Sequence, residues 1–195
     1  MAAKTVIRPA AEADIPAILA LYRQLDSALV AMQPEFFCEG PREEDEIRKA
    51  IRADDADFLL AERGGVVVGF ALVGYAGWTP EFSCVLPHRY ARLEDLAVDE
   101  AVRGQGVGGE LLAAAKRWAR NRRLEYLELN VLAQNESAIR LYESQDFVEG
   151  DGAVGVQVIH CLGHGCCQLG ILRQHDAHAA LVFGVRQTAE HRWRP

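Results

Sequence analysis

The stretch "VDEAVRGQGVGGELLAAAKRWA", residues 98–119, places four glycines within positions 104–109 and runs on into an alanine-rich segment. Glycine-rich turns that open helices leave backbone N–H groups unpaired and allow close approach, commonly by a phosphate. Each glycine in a helix's first turn costs roughly 0.5–1 kcal/mol relative to alanine. That concentration is hard to explain by packing alone, so a ligand is expected. Two phosphate-binding patterns can be tested against the letters. Gly104 and Gly109 have the P-loop separation, but Glu110-Leu111 stand where Lys and Ser/Thr must meet phosphate and magnesium. Gly104-x-Gly106-x-x-Gly109 matches the dinucleotide fingerprint, with Glu125 and Glu128 downstream. In that fold the strand feeds directly into the first glycine, whereas here "DEAVR" intervenes after Val98. A lone GxGxxG is weak evidence without that context.

Outward from the turn, "RYARLEDLAV" reads as the preceding strand and the following helix runs to about Asn121. "LEYLELNVL" alternates like a strand, and "NESAIRLYESQ" reads as a helix that Asn135 can cap. Upstream, "KTVIRPA" is a short strand, and Asp14 is placed to cap a helix carrying Ile15, Ile18, Leu19, Tyr22, Leu25 and Leu29 at helical spacing. "PREEDEIRKAIRAD" is a second helix opening at Pro41, with acids early and bases late. Two β-rich runs meet at Gly64-Gly65, a hairpin signal, and residues 77–88 read as a loop with two prolines.

The 195 residues suit one domain, and the net charge of −7 with no Lys/Arg run argues against nucleic-acid binding. No apolar h-region opens the chain and no apolar run is read as long enough to span a membrane, so a cytoplasmic protein is expected. Cys38, Cys84, Cys161, Cys166 and Cys167 are odd in number and scattered, and free thiols are expected.

"Arg103-Gly104-Gln105-Gly106-Val107-Gly108" follows the pattern [Q/R]-x-x-G-x-[G/A] between a strand and a helix. With "IRPAAEADIPAI", "VVVGFAL", "LEDLAVDEAVRGQGVGGELL" and "LELNVLAQNESAIRLYESQDF", residues 4–148 resemble the GNAT superfamily of acetyl-CoA-dependent N-acetyltransferases. "RLEDLAV" and "NESAIRLYE" are especially similar to its diamine and polyamine branch. The resemblance implies an α/β (α+β) fold with a central splayed mixed sheet flanked by helices. It also implies acetyl-CoA as co-substrate, a small amine as acceptor, and a homodimer, which is common in the family.

By that resemblance, N–H groups of Arg103, Gly104, Gln105, Gly106, Val107 and Gly108 cradle the coenzyme's pyrophosphate. The main chain of Leu96, Ala97 and Val98 pairs with its pantetheine arm, and Asn135 either contacts the coenzyme or simply caps its helix, two compatible roles. Glu94 corresponds to the family's catalytic base and Tyr142 to the tyrosine that protonates the departing sulfur; Asp95 is a candidate substrate contact. A base is needed because an ammonium of pKa near 10.4 is about three units too basic at neutral pH, and freeing its lone pair costs roughly 4 kcal/mol. An ordinary glutamate is a poor base there, so burial or a water relay is required. Strand alternation puts Glu94 and Asp95 on opposite faces. A non-catalytic acyl-CoA-binding module or a degenerate relative is the rival reading.

Two departures from the family pattern stand out. Asp146-Phe147 replaces the usual Gly-Phe, so Asp146 is expected in a left-handed conformation. Beyond about Gly150 the composition changes: residues 151–195 hold no lysine, three acids, five of the six histidines and three of the five cysteines. The stretch "VEGDGAVGVQVIHCLGHGCC", residues 148–167, offers at most one strand, around Val154–Ile159, so the C-terminal strands are expected to be atypical or missing. The division is therefore a GNAT domain over 1–150 and an atypical tail over 151–195, for which a shifted reading frame is one explanation. His160, Cys161, His164, Cys166, Cys167, His175 and His178 carry ligand chemistry, but without paired zinc-finger spacing no metal is expected.

Overall fold

The computed structural model describes residues 4–78, 88–150 and 156–162. Strand β1 (Thr5–Pro9) leads through a 3-10 turn into α1 (Ile15–Met32), and α2 (Glu44–Ile51) follows. Then come β2 (Ala56–Arg63), β3 (Val66–Trp78) and β4 (His88–Val98), a 3-10 turn at Glu100–Val102, and α3 (Val107–Asn121). The chain continues with β5 (Tyr126–Leu132), α4 (Glu136–Glu143), β6 (Val148–Gly150) and β7 (Val156–Leu162). Among the described residues, seven strands form one sheet in the order β1-β2-β3-β4-β5-β7-β6. Neighbours are antiparallel except β4 and β5, which run parallel.

The β2–β3 hairpin turns at Gly64 and Gly65, whose φ of 58° and 83° suit a tight turn matched to strand twist. Two apolar layers sandwich the sheet. On one side α3 presents Val107, Leu111, Leu112, Ala115 and Trp118 to Ala71, Val73, Ala91, Leu93, Leu127 and Leu129. On the other, Ile15, Ile18, Leu21 and Tyr22 of α1 meet Phe58, Leu60, Phe70 and Ala97. The span Glu12–Met32, with mean hydropathy 1.2, is by length and composition alone long and apolar enough to cross a membrane, contrary to expectation. Its alanines and leucines raise the average, and one stripe of them is packed on the sheet.

Asp14 stands at the N-terminus of α1 without capping it. Its carboxylate instead accepts from the Arg8 guanidinium at 2.7 Å and the Ala11 N–H at 2.8 Å. Helix α2 begins at Glu44, three residues after Pro41. Asn135 does cap α4, its side chain accepting from the Ala138 N–H at 3.1 Å. Asp146 adopts φ 60°, the left-handed exit anticipated after α4. Instead of at most one strand near 154–159, two close the sheet: β7 pairs with β5 from Tyr126↔Leu162 to Leu132↔Val156, and β6 pairs with β7. The segment from 163 onward, with His164, Cys166, Cys167, His175 and His178, lies outside the described residues, as does Cys84. Cys38 is an exposed free thiol.

Candidate active site

The parallel β4–β5 ladder extends only from Ala91↔Leu127 to Leu93↔Leu129. Its cause is visible on the other side of β4: Val73 pairs with Leu93 but Leu72 pairs with Asp95, leaving Glu94 as an extra, unpaired residue. This β-bulge bends the strand away, as bulges beside functional sites do. From Asp95 to Val98 β4 again pairs with β3, and from Glu94 to Val98 it has no partner on its β5 side among the described residues. The gap is the head of a cavity of about 950 Å³, walled by β4 from Leu93 to Val98, β5 from Leu129 to Leu132, the glycine turn, α4 and one flank of α1. Gln33, at the end of α1, donates to Gln134 at 3.1 Å, joining the α1 and α4 walls.

The bulge also reverses strand alternation. Leu93 and Leu96 both pack on the α3 side, while Ala97 faces α1. Asp95 thus turns to the α1 side, where it meets Tyr22. Glu94, the extra residue, lies within electrostatic reach of Asp95 as well as of Arg92 and Glu128. The two acids are therefore neighbours and not set apart on opposite faces; both line the same cavity. That corrects the alternation expected from sequence. Glu94 makes no hydrogen bond or ion pair among the described residues. Desolvation lifts its carboxyl above the usual range, Asp95 and Glu128 add to the rise, and Arg92 opposes it. Water reaches Glu94 from the cavity mouth even though protein surrounds most of it, so it is accessible and yet poorly solvated.

Asp95 is more committed. It accepts a hydrogen bond from the Tyr22 hydroxyl at 2.8 Å, and the Arg42 guanidinium lies 3.9 Å over the Tyr22 ring. Arg42 in turn grips Asp26 at 2.6 and 3.1 Å. Burial pushes Asp95 up, with the Tyr22 hydroxyl and Arg42 pulling the other way. Sequence reasoning missed Tyr22 and Arg42 as neighbours of this acid. Tyr22 sits in a core-like helical stripe, and nothing local announces that its hydroxyl reaches β4.

The turn itself is built from two glycines in left-handed conformations. Arg103 at φ −60°, ψ 152° and Gly104 at φ 72° form a type II turn. Gly106 at φ 85° stands at the N-terminus of α3. A Cβ at Gly104 or Gly106 would meet nothing within 4 Å, so backbone conformation, not crowding, requires glycine there. Gly108 differs: a Cβ would lie 2.9 Å from Leu141 Cδ2, so its absence lets α4 pack against α3.

The N–H groups divide in the same way. Those of Arg103 and Gln105 reach the carbonyls of Glu100 and Val102 at 3.4 Å, whereas Gly104, Gly106, Val107, Gly108 and Gly109 have no backbone acceptor. These five are the donors free for an anion. Arg103 Nε donates to the Val98 carbonyl at 3.0 Å, tying the turn to the end of β4. Arg103, Gly104, Gly106, Val107 and Gly108 line the cavity; Gln105 does not, its side chain turning outward to Arg63.

Leu96, Ala97 and Val98 form one wall of the cavity and Asn135 and Tyr142 another. Tyr142 is 7% exposed and packs against Phe147 at 5.8 Å between ring centres. Its hydroxyl makes no hydrogen bond among the described residues, and burial, with Asp95 adding to it, pushes its pKa well above the ordinary tyrosine value. It is therefore a neutral O–H donor at physiological pH. The cavity thus brings together every residue to which the family resemblance assigned a role except Gln105.

A bulged strand splayed from its parallel neighbour, with a glycine-rich helix start at the opening, defines the class. The chain belongs to the acetyltransferase (GNAT) family, whose model matches residues 22–147. It is 34% identical over 134 residues to mycothiol acetyltransferase of Acidothermus cellulolyticus, a match covering 63% of this chain and only 41% of that relative. It is 28% identical over 165 residues to thialysine N-epsilon-acetyltransferase of Mus musculus, covering 77% of this chain and 89% of that one. Among solved structures, PaiA N-acetyltransferase from Thermoplasma acidophilum in complex with coenzyme A superposes with a TM-score of 0.61 at 16% identity, covering 82% of this chain and 99% of that chain. The relatives' names are mixed and single out no polyamine branch.

Proposed function

We propose that this protein transfers an acetyl group from acetyl-CoA to the primary amine of a small molecule by direct attack. The observation carrying the reading is the meeting, on one cavity, of five unclaimed N–H donors and a carboxylate, Glu94, that is reachable by solvent but unpartnered. The N–H groups of Gly104 and Gly106–Gly109 would receive the pyrophosphate, aided by the positive end of α3. The open edge of β4 from Leu96 to Val98 would pair with the pantetheine amides. The Val98 carbonyl is already held by Arg103, which narrows that pairing to the neighbouring groups.

The coenzyme supplies an acyl thioester. Glu94 attracts the acceptor ammonium and takes its proton, directly or through one water, and its raised pKa brings it closer to that task at neutral pH. The amine nitrogen then bonds to the carbonyl carbon. As the C–S bond breaks, the Tyr142 hydroxyl, buried and uncharged, gives its proton to the departing sulfur. The second proton shed by the new amide nitrogen restores that hydroxyl, leaving the net proton of the reaction on Glu94 to pass to solvent. Asp95, braced by Tyr22, contributes negative charge behind Glu94 and favours a cationic acceptor. A diamine or polyamine is the acceptor class this pair of acids suits best, and a relative named for a lysine-like ε-amine is consistent with a primary amine.

The test is release of free thiol from acetyl-CoA across a panel of diamines, polyamines, amino acids and aminoglycosides. Turnover with one of the linear amines is expected. Coenzyme binding without turnover on any amine would instead identify a non-catalytic acyl-CoA-binding module.

A further inference from the structure

Arg63, the last residue of β2, lies outside the cavity wall yet reaches the glycine turn from behind. Its guanidinium fork donates from Nη1 to the Gln105 side-chain oxygen at 2.8 Å and from Nη2 to the Gln105 main-chain carbonyl at 3.1 Å. Nε donates to the Thr5 hydroxyl at 2.9 Å, which anchors the side chain on β1. No carboxylate pairs with Arg63 among the described residues, so its charge is spent on the turn.

A trans peptide is planar, and its C=O and N–H point in opposite directions. Holding the Gln105 carbonyl outward therefore directs the Gly106 N–H inward, toward the cavity that Gly106 lines and Gln105 does not. Glycine alone does not enforce that orientation. Gly106 can occupy positive or negative φ with little penalty, so the 105–106 peptide could turn over and present an oxygen to the ligand instead. We infer that Arg63 is a positioning residue that sets the polarity of the glycine turn, fixing the peptide between Gln105 and Gly106 so that a nitrogen, not an oxygen, meets the coenzyme phosphate. This rests on the coenzyme site proposed above.

The planar fork is the point, because it engages two oxygens of one residue at once. The experiment measures the calorimetric affinity of free coenzyme A, with kcat and both KM values, for wild type, Arg63→Met and Arg63→Lys. Arg63→Met is expected to weaken coenzyme affinity about tenfold, with the KM for acetyl-CoA rising in parallel. Values of kcat at saturation and of the acceptor KM stay within about twofold of wild type. Arg63→Lys keeps the charge and the stem but not the fork, and is expected to recover less than half of the lost binding free energy. It also supplies a folded variant should the methionine protein not fold. Wild-type coenzyme affinity in Arg63→Lys, or a fall in kcat as large as the rise in KM, overturns the inference. Absence of coenzyme binding by the wild type would overturn the proposed function itself and this inference with it.

Discussion

At the residue scale, Glu94 is held where it is least comfortable. A carboxyl whose folded pKa is raised binds its proton more tightly in the native state, so its contribution to stability is present below its unfolded pKa and lost as pH rises through the folded value. Above that window the charged Glu94 destabilises the fold. Glu94→Gln is expected to raise the melting temperature at neutral pH, and to lower kcat/KM about 10²- to 10⁴-fold. The acidic limb of the wild-type pH–rate profile should sit above an ordinary glutamate's 4.5 and vanish in the variant. Lower stability in Glu94→Gln at pH 7, with the acidic limb intact, would remove Glu94 from the role of base. Tyr142→Phe deletes one oxygen from a buried ring. Its kcat should drop about 100-fold with coenzyme affinity unchanged, and pre-steady-state thiol release would separate the two. Glu94 and Tyr142 could be picked out as candidates from sequence because each lies inside a motif of fixed spacing, and both line the cavity. The Tyr22–Asp95–Arg42 set could not, because it joins α1, β4 and the segment before α2, which meet only in the folded chain.

At the scale of elements, hydrophobic periodicity was enough to locate α1, α3 and α4, each with one buried face, while β2 and β3, buried on both faces, were legible as β-rich runs about the Gly64-Gly65 turn. What it could not register was an odd residue in β4. Alternation assumes a regular ladder, and the skip from Val73↔Leu93 to Leu72↔Asp95 is a property of pairing, not of either strand's letters. The glycine turn was legible as a set of free N–H donors opening a helix but uniform in appearance. The structure separates Gly104 and Gly106, needed for left-handed backbone, from Gly108, needed for contact with Leu141. A side chain at 106 therefore has room but strained backbone, costing about 1–2 kcal/mol, and a glutamate there also sets a negative charge against the phosphates. Gly106→Glu is expected to keep its circular dichroism spectrum while losing calorimetrically detectable coenzyme A binding; retained affinity would mean the anion sits elsewhere. Strand β7 falls where one strand was expected, starting two residues later, whereas β6 was missed because its three residues, Val148–Gly150, are too few to show a pattern; β5 offers the edge with which β7 pairs.

For the whole molecule, the sheet is one body with a slit in it. Seven strands are joined edge to edge, but β4 and β5 share only three paired positions, and the helices on either face leave the slit open. A ligand that completes the missing ladder binds the native state and not the unfolded chain, so it must stabilise the former. At coenzyme concentrations about 100 times Kd the gain is about 2.7 kcal/mol, which for a chain of this size is a rise in Tm of roughly 5–10 °C. A thermal melt with and without coenzyme A reads this directly, and an unchanged midpoint at that concentration would argue against a ligand spanning the slit.

Glu94 has a last consequence as a unit of chain length. With it removed, Leu93 would be followed by Asp95, Leu96 and Ala97 in unbroken in-out order against Val73, Leu72, Ala71 and Phe70. A polypeptide shorter by that one codon would zip β3 and β4 into a seamless ribbon. The defect that deletion would repair is the one that holds the cavity open.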